Sequence, residues 1–209
     1  TGSLLSRETM DALVEIARAQ GCYLHADEVY KGAELETDEP PSFADLYEKA
    51  IITSGLSKAM ALPGLRIGWL VGPAKDIYTA WQNKDYTSIT TSALSEHIAR
   101  IVIQPAKRAE ILQRSKTILR ENLALLADWV KANEEFFSFV PPKASGMAFI
   151  KYSHSMNSTA LVHRLREERG IMLLPGDVYG MDGYIRIGIG APGHHLSAGL
   201  ERLSDYLKS

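Results

Sequence analysis

The sequence predicts an α/β protein: a layer of short strands alternating with helix, followed by a small α+β domain built on long helices. Three short apolar segments, "CYLHADEVY", "AIITSGLSK" and "RIGWLVGP", run into acidic residues or Gly and Pro turns. In an α/β layer, ligand groups collect beyond the carboxyl ends of such strands. Two long amphipathic patterns follow, separated by Pro105, and the remaining residues mix three strand-like runs with two helical ones.

The elements can be justified in order. After Thr1-Gly2, a turn pair, Ser6 is a good N-cap; Leu13, Ile16 and Ala17 form an inward stripe and Gly21 closes the helix. "CYLHADEVY" reads as a buried strand with polar groups at its end, and Cys22 as a small buried member of it. Ala50 to Thr53 are strand-like and Ser54-Gly55 turn the chain; Gly72-Pro73 stop the third strand. "PAKDIYTAWQNKDYTSIT" is helical up to a break around Thr87 to Thr91, and the helix that follows Pro105 would reach about 45 Å if unbroken to Glu135. "FFSFVPP", "GMAFIKY" and "GYIRIGIG" are strand-like; "STALVHRLREERG" and the tail from His194 to Leu207 are helical. The division between domains falls within residues 74 to 105, giving 1–85 and 86–209.

Composition bounds the function. The chain has 209 residues, 45% apolar and 23% charged, which is ordinary globular usage. A formal net charge of −2 offers no basic field for nucleic acid or anionic lipid. One cysteine rules out an internal disulfide framework or a multi-cysteine metal site, and no run approaches the ~20 apolar residues of a membrane span. A reduced, cytoplasmic protein without a targeting segment is expected. His194-His195 are expected to begin a helix rather than bind metal. Trp69, Trp81 and Trp129 fall at packing positions, and His25 is a core or site-facing strand residue.

The chemistry centres on "SGLSKAMALPGLRIGW". A lysine at a strand mouth, buried among apolar neighbours, favours its neutral form and attacks carbonyls, which suits Lys58 to Schiff-base work. Asp27 and Tyr30 end the preceding strand, and Arg66 follows Lys58 past the Pro63-Gly64 turn. A carboxylate, a phenol, a lysine and an arginine around one crevice match the four demands of a phosphorylated pyridine aldehyde.

"HADEVY", "SGLSKAMALPGLRIGW" and "GYIRIGIG" together resemble the fold type I pyridoxal-phosphate enzymes, specifically the class I/II aminotransferases. The resemblance covers nearly the whole chain. It implies the C-terminal part of a large domain with a mixed seven-stranded sheet, incomplete here, plus the small C-terminal domain. It implies pyridoxal 5'-phosphate as cofactor, with Lys58 forming the Schiff base and moving the substrate Cα proton. Asp27 would pair with the pyridine nitrogen, Tyr30 would donate to the phenolic oxygen, Arg66 would hold the phosphate, and Arg186 would clamp the substrate carboxylate. Many relatives carry a phosphate-binding serine where Gly55 stands here; Ser57 is favoured in its place, with Ser54 the other hydroxyl available. The resemblance also implies a homodimer acting on an amino acid and a 2-oxo acid.

Relatives place an Asn-Pro-Thr-Gly motif before the first helix seen here, whereas this sequence opens on "TG". The glycine-rich phosphate loop and the ring-stacking aromatic are then expected upstream, with about half a typical family chain. Such a fragment would expose a sheet edge and an apolar face, and by itself it would be inactive. Two other readings stay open: another enzyme of the same fold, such as a lyase, decarboxylase or cyclising synthase, and a non-catalytic sensor domain of a transcription regulator.

Overall fold

The computed structural model describes residues 2–208. Thr1, half of the opening turn pair, lies outside them. The chain forms two compact units, residues 4–115 and residues 116–208 with Gly2 and Ser3.

The first unit opens with helix α1 (Arg7–Ala19), whose N-cap Ser6 accepts from the Thr9 amide. Its inward stripe is Met10, Val14 and Ala17, spaced by four and three residues, and not the stripe read from Leu13 and Ile16, which are exposed. The register follows the packing partner: Met10, Val14 and Ala17 join Phe43, Tyr47, Ala50 and Ile52 in one apolar cluster. Only a helix face one residue away from Leu13 meets that cluster.

Strands β1 (Leu24–Asp27), β2 (Ala50–Gly55) and β3 (Gly68–Val71) form a mixed sheet in that order. β1 and β2 are parallel, so their carboxyl ends lie side by side; β3 returns antiparallel to β2. β2 continues through Ser54 and Gly55, which the sequence reading had placed in the turn. Cys22 precedes β1 and is exposed, because the strand begins only at Leu24. β3 is exposed along its whole length, Trp69 included, and Trp81 in α2 (Ala74–Lys84) is exposed as well; neither is a packing residue within this unit. α3 (Ala93–Val102) contributes Ala99 and Val102 to a second cluster with Ala33, Leu56, Ala59, Met60 and Leu112.

α4 (Pro105–Ala132) is 28 residues long, about 42 Å, and the division between the units falls within it, between Ser115 and Lys116. Pro105 is its first residue, where a missing N–H costs nothing.

The second unit is an antiparallel sheet in the order β4-β5-β7-β6, from β4 (Phe137–Phe139), β5 (Met147–Tyr152), β6 (Leu174–Pro175) and β7 (Tyr184–Gly188). Alternation on β5 and β7 buries Ala148, Ile150, Tyr152, Ile185 and Ile187. α5 (Ser158–Arg169) and α6 (Gly193–Lys208) bury Leu161, Leu165, Leu196, Leu200 and Leu203. α6 begins at Gly193, so His194-His195 do start a helix, and among the described residues no cluster of His, Cys, Asp or Glu could hold a metal ion. Trp129 is a packing residue as read: its indole lies 4.6 Å from Phe137 and donates to Ser204.

Asn122 of α4, buried, fastens the link from β7 to α6. Its amide donates to the carbonyls of Ile189 at 2.8 Å and Ala191 at 2.6 Å. Asn122→Leu leaves both carbonyls without that donor, and we expect a loss of about 1–3 kcal/mol of stability, measured by urea denaturation of the complete protein.

Candidate active site

The site residues of the first unit gather where β1 and β2 end. Asp27 is the last residue of β1, in parallel register with Thr53, and its carboxylate accepts from the Val29 amide at 3.2 Å. The chain then turns through Tyr30. Glu28 anchors this turn, its amide donating to Thr53 and its carboxylate accepting from Ser42 and the Phe43 amide. Ser54 donates to the Glu28 carbonyl at 3.2 Å, so its hydroxyl serves the fold. Ser57, half-buried in the loop beyond β2, makes no hydrogen bond with another described residue.

The loop between β2 and β3 carries Lys58 and Arg66 and is closed at its base. Gly55 opposes Gly68, and the Leu56 amide donates to Ile67 at 3.1 Å. A Cβ on Gly55 would sit 2.9 Å from the Ile67 carbonyl oxygen, so only glycine lets the two arms approach this closely. Inside the loop the Ala61 amide donates to the Lys58 carbonyl, and Ala61 and Arg66 both adopt left-handed backbone conformations, φ 54° and 52°. Non-glycine residues pay for that geometry, and such residues concentrate at functional sites.

Lys58 itself is exposed, contrary to the expectation that it is buried. Leu56, Ala59 and Met60 take the interior positions of the loop, which turns the intervening lysine outward. Its ammonium stands 5.8 Å from the centroid of the Tyr30 ring, and Asp27 and Arg66 are exposed too. Arg66 donates to the Pro63 carbonyl at 3.1 Å, and no ion pair to Lys58 or Arg66 is found among the described residues. His25 shares the exposed face of β1 with Asp27 and lies 3.4 Å from the Thr53 hydroxyl. It is therefore not a core residue.

Arg186 belongs to the second unit. It is central in β7, opposite Phe149 of β5 and Leu174 of β6. Its Nη1 donates to the Tyr179 hydroxyl at 2.9 Å, while its Nε is buried without a hydrogen-bond partner. The sequence reading had not singled out Tyr179, in the loop of residues 175–183; "PGDVYG" just before the arginine strand is the signal that could have found it.

That loop is pinned from both ends. A Cβ on Gly176 would lie 2.1 Å from the Met181 carbonyl oxygen, and the Gly176 amide donates to Tyr184. Asp177 accepts from the Thr159 hydroxyl and Asp182 from the amides of Ser158 and Gly183, tying the loop to the start of α5.

Compared with known proteins, residues 1–203 match the family Aminotransferase class I and II. The chain belongs to the class I and II aminotransferases. A pyridoxal-phosphate-dependent aminotransferase of Streptococcus suis 89-1591 is 35% identical and superposes with a TM-score of 0.92, over all of this chain and 54% of that one. Capreomycidine synthase of Streptomyces vinaceus is 30% identical over 177 residues, 83% of this chain and 45% of the synthase. A pyridoxal-phosphate-dependent cyclase, OrfR, is 28% identical with a TM-score of 0.90, over all of this chain and 56% of that one. The chain thus spans about half the length of these relatives, and its fold is that of the C-terminal half of fold type I aminotransferases. No helix among the described residues is long and apolar enough to cross a membrane.

The loop bearing Tyr179 should loosen in acid. The Thr159 hydroxyl holds the Asp177 carboxyl below its ordinary value, and the Ser158 and Gly183 amides do the same for Asp182. A carboxyl lowered in the fold contributes stability that is complete above its unfolded value, about 4, and is lost as pH falls through the folded value. Amide exchange at Ser158 and Gly183, corrected for intrinsic rate, should accelerate as pH falls below about 4 and stay level above about pH 5.

Proposed function

We propose that this chain is the lysine-bearing part of an aminotransferase that moves an amino group from an amino acid to a 2-oxo acid with pyridoxal 5'-phosphate. The observation that carries the reading is the closed loop of Lys58 and Arg66, with Tyr30 against the lysine and Asp27 ending the adjacent parallel strand. The donor set fits the cofactor: an amine for the aldehyde, a carboxylate for the pyridine nitrogen, a phenol for the phenolic oxygen, and a guanidinium with the Ser57 hydroxyl for the phosphate. Pyridoxal phosphate, when bound, supplies an aldehyde that condenses with amines and an electron-poor ring that accepts the electrons of a broken Cα bond.

The chain's own groups then divide the work. Lys58 holds the cofactor and carries the proton to and from the substrate Cα. Asp27 would pair with the ring nitrogen, and Tyr30 would donate to the phenolic oxygen. Arg66 orients the phosphate through its planar fork, which a lysine could not match. Arg186 receives the substrate carboxylate, and its unpartnered Nε is in keeping with that role. The exposure of Lys58 and Arg66 leaves them open to further residues of a longer protein or of a second subunit; a cytoplasmic homodimer is part of the proposal.

A second reading has a specific observation behind it. Capreomycidine synthase and the OrfR cyclase are 30% and 28% identical to this chain, so a cyclising reaction with the same lysine and arginines is the alternative. With a panel of amino donors, transamination gives the cognate 2-oxo acid and an aminated cofactor; a cyclase gives a ring product and leaves the cofactor unaminated.

Borohydride treatment of the complete protein should fix the cofactor to Lys58, as peptide mapping would reveal; a label on another lysine, or on none, sinks the assignment. Asp27→Ala should lower kcat, whereas Arg186→Ala should act mainly through KM, by about 1.5–3 kcal/mol for a charge-assisted contact. If both variants lost only affinity, the roles would be wrong. The 209 residues alone should show no turnover with any donor, and activity equal to that of the longer protein would overturn the view of the site as incomplete.

A further inference from the structure

The sheet of the second unit sets Arg186, Phe149 and Leu174 in one cross-strand row, so the three side chains share a face. Phe149 and Tyr179 meet edge to face, with ring centroids 5.5 Å apart and planes at 77°. The Tyr179 hydroxyl accepts from Arg186 Nη1 at 2.9 Å, and the guanidinium carbon lies 5.6 Å from the Tyr179 ring centroid. Tyr179 is thus fixed at its ring by Phe149 and spends its oxygen on the arginine.

Its backbone is equally constrained. Tyr179 ends a short 3-10 turn (Asp177–Tyr179); its amide donates to Gly176, and Gly180 takes φ 70° to close the turn. An arginine side chain has several rotatable bonds, and ordering it on binding costs rotamer freedom. A tyrosine held in this way removes much of that cost before any ligand arrives.

We propose that Tyr179 is a positioning residue for Arg186, holding one terminal nitrogen of the guanidinium so that the other terminal nitrogen is presented to the substrate α-carboxylate. The assignment rests on the reading of Arg186 as the carboxylate-binding residue. Two features of the pair agree with it. The bond at Nη1 is made within the unit, so no carboxylate is needed to orient the side chain. Nε, buried with no acceptor, is a charge-bearing donor whose isolation is costly unless the bound state compensates the guanidinium elsewhere.

The test uses the complete protein loaded with cofactor and the variants Tyr179→Phe, Arg186→Ala and their double. Tyr179→Phe keeps the ring against Phe149 and deletes only the acceptor. We expect KM for amino acid and 2-oxo acid to rise about fivefold with kcat within twofold, a modest share of a charge-assisted hydrogen bond. Dissociation constants for acetate, butyrate and hexanoate, measured by calorimetry, should rise by the same factor, while KM for the corresponding amines without a carboxylate stays unchanged. In the Arg186→Ala background, Tyr179→Phe should add nothing, because Tyr179 acts through the arginine. If Arg186→Ala weakens the carboxylates but Tyr179→Phe leaves them at parental affinity, the positioning role is overturned and the reading of Arg186 stands. If Arg186→Ala itself leaves carboxylate binding intact, the reading of Arg186 fails and the proposal with it. Equal penalties on amines and carboxylates would mark Tyr179 as merely structural and overturn the proposal.

Discussion

The contact between Gly55 and the Ile67 carbonyl is the constraint on which the first unit depends. β2 and β3 run antiparallel up to that point, and a side chain of any size at position 55 would force them apart. Because they close, residues 56 to 67 become a loop with a fixed base. Lys58 and Arg66, eight residues apart in sequence, then have to emerge from the same small piece of structure. The left-handed conformations of Ala61 and Arg66 accompany that closure: a chain that must turn back within so few residues cannot stay in the ordinary backbone regions throughout.

The second unit is organised differently, around a satisfied polar frame and not around a close approach of strands. The Thr159 hydroxyl donates to the Asp177 carboxylate, while Asn122 inside the core, and Asn157 and Asp182 at the head of α5, make side-chain to backbone bonds. Each of the latter removes a buried or terminal backbone group from the list of the unsatisfied. The apolar row of β7 keeps the helices in place, and the polar frame keeps the loop before it in place, which leaves Arg186 to project from a strand that is fixed on both sides.

Much of this was legible in the sequence where a local signal coincides with a tertiary demand. Ser6 caps α1 because its oxygen reaches the Thr9 amide whatever the helix packs on, and "GYIRIG" alternates because one face of β7 is covered. The stripe of α1 was misread because Leu13, Ile16 and Ala17 are as apolar as Met10 and Val14, and which side is buried depends on Phe43 and Tyr47, far along the chain. β6 is two residues long and its proline removes a donor, so no periodicity could announce it. The residue types around Lys58 were readable from motif and spacing. The outward position of the lysine was not, because it follows from which of its neighbours fill the cluster beneath. Tyr179 escaped notice for a related reason: its bond to Arg186 depends on how the turn before β7 folds back onto that strand.

The frame of the loop before β7 also determines where that loop is free to vary. Gly176 has no room for a side chain, Gly180 needs its positive φ, and Asp177 and Asp182 are committed to α5. Val178 is exposed and makes none of these bonds, and Met181 enters only through its backbone. Sequence diversity is therefore channelled: a library randomised at these two positions would change the chemistry of the loop surface while its length and path stay as they are. For anyone wishing to alter that surface, this is a smaller and better-defined search than the eight residues between β6 and β7 would suggest.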